Sequence, residues 1–86
     1  MESATTPLLS RLFRLQWEPA QDAYVLLYPE GMVKLSQSAA EILKRCDGKT
    51  TVEALVLDLE EAFSVKDLQD DVGAFVREAY DRGWLR

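Results

Sequence analysis

Histidine is missing from all 86 residues, and cysteine occurs once, as Cys46. The first absence removes the side chain that most often acts as a general base near neutral pH. The second leaves nothing to staple the fold or to complete a cysteine–histidine metal set. No apolar run approaches the roughly 20 residues of a membrane span. The four glycines, Gly31, Gly48, Gly73 and Gly83, are scattered, so no glycine-rich loop can cradle a phosphate. Positive charge is also short: 10 lysines and arginines face 15 carboxylates, a net charge of −5 that repels nucleic-acid backbones and anionic lipid headgroups. These absences argue against a catalytic triad, a metal or other cofactor, nucleic acid and membrane as partners.

What is present suits a folded chain. Hydrophobic residues make up 48% and charged residues 29%, the balance of a soluble globular domain. Its length predicts a single domain over 11–86, preceded by a flexible arm over 1–10. Before Arg11 the chain carries Glu2 and no cation, and its only apolar pair there is Leu8-Leu9, so no signal peptide is expected. A lone cysteine fits a reducing cytoplasm.

The apolar spacing changes period near Leu35. Phe13, Leu15 and Trp17 alternate with polar or smaller neighbours, as in an extended strand. Tyr24-Val25-Leu26-Leu27-Tyr28 is a continuous apolar run that suits a central strand. Tyr28-Pro29-Glu30-Gly31 then reverses the chain into Met32-Val33-Lys34-Leu35. Beyond it Ala39, Ile42, Leu43 and Cys46 follow helical spacing, with Ser36 or Ser38 as cap and Asp47-Gly48 as stop. Thr50 and Glu53 are spaced as a capping box before a second helix carrying Val52, Leu55, Val56, Leu59 and Phe63. Ser64 is placed to cap a third, whose stripe is Leu68, Val72, Phe75, Val76 and Ala79 and whose terminator is Gly83. The predicted fold is α+β: a three-stranded antiparallel sheet followed by three helices, like a winged helix-turn-helix with its wing moved forward.

Chemistry is sparse on this frame. Cys46 falls on an apolar stripe and reads as a core residue. The carboxylate groups Asp58/Glu60/Glu61 and Asp67/Asp70/Asp71 lie on helix exteriors without cation-loop spacing and read as solvated faces. A helix-turn-helix regulatory or protein-docking module is the alternative class. For DNA, however, the recognition segment Val65–Arg82 offers Lys66, Arg77 and Arg82 against Asp67, Asp70, Asp71, Glu78 and Asp81, so counterion release cannot drive the contact.

The sheet margin is more promising. Met32–Leu35 is an outer strand with Lys34 as its only charge, hence a template for a further strand. Leu68, Val72, Phe75, Val76 and Ala79 exceed one narrow stripe, so part of that helix can line a groove beside the strand. The competing reading makes both surfaces ordinary core. The same margin can pair with its own copy, so the chain is expected as a monomer or weak homodimer.

One ordered set of residues resembles a known family. Leu26-Leu27-Tyr28-Pro29-Glu30-Gly31, Val33-Lys34-Leu35, Ser38-Ala39-Ala40-Glu41-Ile42-Leu43, Cys46-Asp47-Gly48 and Gly83-Trp84-Leu85 are similar to the PqqD family of pyrroloquinoline quinone (PQQ) biosynthesis. These are small peptide chaperones related to the recognition elements for ribosomally made, post-translationally modified peptides (RiPPs). The resemblance spans about Leu12 to Leu85 and departs at Ser36, where many relatives carry asparagine. It implies a non-catalytic chaperone that binds the precursor peptide PqqA by β-strand addition and presents it to the radical S-adenosylmethionine (SAM) enzyme PqqE. It also implies Met32, Val33, Lys34, Leu35, Leu68, Val72, Phe75, Val76 and Ala79 as peptide-binding residues.

Overall fold

A computed structural model describes residues 5–86. The alternating segment forms β1 (Arg14–Glu18), the apolar run β2 (Ala23–Tyr28) and the segment after the Pro29-Glu30 turn β3 (Gly31–Lys34). The sheet is antiparallel in the order β1-β2-β3. Leu15 faces Leu26, which faces Val33; Arg14 faces Leu27, which faces Met32. Adjacent strand residues point to opposite faces. Both Val25 and Leu26 are nonetheless fully buried, which accounts for the unbroken apolar run of β2.

Three helices follow: α1 (Gln37–Lys44), α2 (Val52–Phe63) and α3 (Gln69–Asp81). Leu26 and Leu35 of the sheet side meet Ile42 and Leu43 of α1, Leu55 and Leu59 of α2, and Val76 and Ala79 of α3 in one core. Complete burial of a leucine or valine contributes about 1.5–3 kcal/mol each, so Leu26, Leu55 and Val76 anchor the sheet, α2 and α3 to one another.

The caps differ in detail from the sequence expectation. Ser36 caps α1, its Oγ accepting from Ala39 N–H at 3.1 Å, and Ser38 lies inside the helix. Thr51, not Thr50, caps α2 through Ala54 N–H at 3.1 Å. Thr50 is engaged instead by Asp47, whose carboxylate accepts from Lys49 N–H, Thr50 N–H and Thr50 Oγ1. Those bonds hold the Asp47 carboxyl below its usual range. Ser64 does not start α3. It closes α2 in the left-handed conformation at φ 53°, while α3 begins after Leu68, whose N–H donates to Glu60 Oε2 at 3.0 Å.

The flexible arm expected over 1–10 is corrected for residues 5–10; residues 1–4 lie outside the described residues. Leu8 and Arg86 exchange backbone hydrogen bonds at 2.9 and 2.8 Å, and Ser10 N–H donates to Trp84 O at 2.8 Å. On the other side Gly48 N–H donates to Pro7 O and Val52 N–H to Thr5 O, both at 2.9 Å. Pro7 is fully buried. Gly48 is required here on two counts: its φ is 79°, and a Cβ would lie 3.2 Å from Leu8 Cδ1. The segment is thus a strap joining the C-terminal residues Trp84–Arg86 to the α1–α2 turn.

Candidate functional site

The order β1-β2-β3 leaves β3 paired on one side only. Leu35 N–H donates to Tyr24 O at 3.0 Å, which fixes the phase of the ladder. Backbone groups alternate sides along an antiparallel strand. Leu35, Val33 and Gly31 therefore direct their N–H and C=O groups towards β2, and Met32 and Lys34 direct theirs outward. The outward set is two donors and two acceptors, ready for another strand.

Beyond the end of β3 lies a cavity of about 790 Å³. Its walls are the start of α1 from Ser36 to Ile42, the end of α2 with Leu59 and Phe63, Val65 in the following turn, and Leu68, Asp71, Val72 and Phe75 of α3. Phe63, the last residue of α2, and Val65 are 45% and 42% exposed. Phe75 packs against Trp84 with ring centroids 6.4 Å apart, and the Arg82 guanidinium sits 5.5 Å from the Trp84 ring centroid. At the polar rim Glu41 pairs with Lys44 and Arg45, each at 2.9 Å, and these bonds hold its carboxyl below the usual range. Arg45 also pairs with Asp58, tying α1 to α2.

The nine residues singled out in the sequence separate into two groups. Met32 and Lys34 are exposed, and Val33, Leu68 and Phe75 are half-buried. Leu35, Val72, Val76 and Ala79 are buried in the core, so they support the face from below. Leu68, Val72 and Phe75 come together as one wall of the cavity; β3 borders it through Ser36 and does not line it. Phe63 and Val65 were assigned to the helix stripe or passed over. Their signal was an apolar pair on either side of Ser64, next to a turn, where polar residues are the norm.

Among the described residues the one thiol is buried. Burial, aided by the neighbouring Asp47 carboxylate, pushes the Cys46 thiol up to about 12, and its Sγ rests 3.3 Å from Ile42 O. Among the described residues no group of histidine, cysteine and carboxylate side chains is placed to hold a metal ion, and no helix is long and apolar enough to cross a membrane.

An open strand and a helix-walled apolar cleft stand on a small α+β domain, a three-stranded sheet followed by three helices. The same architecture is found in the solution structure of the PqqD portion of Methylobacterium extorquens PqqCD, described as a functional, stand-alone RiPP recognition element. The two superpose with a TM-score of 0.76 over 99% of this chain and 93% of that one, at 24% identity. The sequence profile of Coenzyme PQQ synthesis protein D matches residues 23–85. The PqqA binding protein of Pseudomonas aeruginosa strain PAO1 is 51% identical over 82 residues, covering 94% of this chain and 89% of its own. That of Stutzerimonas stutzeri is 49% identical over 80 residues, covering 92% and 87%. The chain belongs to the PqqD family.

Proposed function

We propose that this chain is a non-catalytic peptide chaperone that binds the precursor peptide PqqA by β-strand addition to β3. It then presents the peptide to the radical SAM enzyme PqqE in the cytoplasm, acting as a monomer or weak homodimer. The observation that carries this reading is the free margin of β3 opening beside the apolar cleft. The names of the Pseudomonas and Stutzerimonas relatives support PqqA as the guest.

Energetics favour a guest that uses both parts of the site. Ordering about six peptide residues costs roughly 6–12 kcal/mol of backbone entropy. About four ladder hydrogen bonds return only about 1 kcal/mol each. Burial of about 300 Å² of apolar surface adds about 7 kcal/mol. Together the two gains, about 11 kcal/mol, offset that cost to within a few kcal/mol, a near balance that suits a carrier that must release its cargo.

The phase of the ladder supplies the test. Lys34→Pro removes an outward donor while leaving the β2–β3 bonds intact, so PqqA affinity measured by calorimetry should fall about tenfold or more with folding retained. Val33→Pro removes an inward donor and should lower the unfolding midpoint of the chain itself. Unchanged PqqA affinity in folded Lys34→Pro would count against strand addition.

A further inference from the structure

We propose that the hollow beyond the end of β3 is an anchor subsite for one bulky, uncharged side chain of the guest peptide, with Phe63 and Val65 as its outer wall. This rests on the peptide-binding reading and specifies what the guest must carry. The hollow begins at Ser36, immediately after the strand segment that ends at Lys34-Leu35, so an extended guest paired with Met32 and Lys34 runs directly into it. Strand addition by itself recognises backbone and carries little sequence information; a pocket at one end supplies register as well as selectivity.

Three observations converge on these two residues. First, Phe63 and Val65 face solvent although each is large and apolar, and both line the cavity. Second, the turn that holds them contains two non-glycine residues in left-handed conformations, Ser64 at φ 53° and Asp67 at φ 61°. Such backbone is disfavoured for side-chain-bearing residues and persists where the surroundings hold it. Here the left-handed Ser64 ends α2, and Val65 N–H donates back to Glu60 O at 3.0 Å, which ties Val65 to the end of that helix. Third, the charged side chains lining the hollow are Asp71 and Glu41, and the cations nearest Glu41, Lys44 and Arg45, are already paired with it, so none of the lining residues offers a cation to a guest carboxylate. An acidic guest residue therefore finds no partner there, whereas a leucine- or phenylalanine-sized group meets Phe63, Val65, Leu68 and Phe75.

The chain has three phenylalanines, Phe13, Phe63 and Phe75, so incorporation of 4-fluorophenylalanine gives three fluorine resonances. Phe13 stacks on Tyr28 at 5.5 Å, away from the hollow, and serves as the internal reference. Titration with synthetic PqqA should move the Phe63 and Phe75 resonances and leave Phe13 in place. In parallel, Phe63→Ser and Val65→Ser, both at surface positions, should each weaken PqqA binding about tenfold with unchanged unfolding midpoints. An unmoved Phe63 resonance, or unaltered affinity in both variants, overturns the anchor subsite while leaving strand addition standing. Failure of the unaltered chain to bind PqqA defeats both.

Discussion

At the scale of single residues, burial decides which side chains act and which only support. Cys46 is the clearest case. An exposed thiol ionises near 9.0, whereas the folded protein holds this one protonated until about 12 because the thiolate would be desolvated beside Asp47. A folded-state pKa above the unfolded one gives a stabilisation that is whole below pH 9.0 and is lost as pH rises towards 12. The urea midpoint should therefore fall with pH across that window more steeply in the wild type than in Cys46→Ala. Tyr80, whose hydroxyl is raised by burial and further by Cys46, keeps only the first cause in Cys46→Ala, which adds to the steeper fall expected of the wild type. Parallel curves would contradict the assignment. The candidate-site residues follow the same logic. Helical spacing placed Leu68, Val72, Phe75, Val76 and Ala79 on one stripe, but spacing cannot say where a stripe leaves the core. Leu68 and Phe75 reach the surface, and Val76 and Ala79 do not.

At the scale of elements, the strands and helices were legible because their apolar periods are regular and their stops, Pro29, Gly48 and Gly83, are punctuated. The turn between α2 and α3 was not. Ser64 has the chemistry of a helix start, yet the left-handed exit of α2 uses it first and delays α3 to Gln69. The strap over residues 5–10 was invisible for a different reason. Its partners are Asp47–Gly48 and Trp84–Arg86, far away in sequence, and a few backbone bonds leave no periodic trace. Deleting residues 1–10 should cost at least about 3 kcal/mol in denaturant unfolding, since it removes several backbone bonds and the burial of Pro7. A loss within about 0.5 kcal/mol, the usual range for surface changes, would mean the strap adds little.

At the scale of the molecule, charge is unevenly distributed. Residues 52–81 hold nine carboxylates, including Glu53, Glu60 and Asp70, against Lys66 and Arg77 alone. The helical half is therefore more negative than the chain as a whole, a charge that opposes nucleic-acid binding despite the helix-turn-helix likeness. The sheet half, with Arg11, Arg14 and Lys34, has an open margin at its end. The backbone template thus ends next to Ser36, where the apolar hollow begins, and of the nine carboxylates over 52–81 only Asp71 lines that hollow.

The most direct test of the central claim is an amide titration of isotope-labelled protein with PqqA. Strand addition predicts that the Met32 and Lys34 amides, which face outward, shift first and become protected from hydrogen exchange. The inward-facing Val33 amide, already bonded to β2, should change little in protection. Saturating PqqA that leaves Met32 and Lys34 unprotected, or protects Val33 instead, would contradict the account.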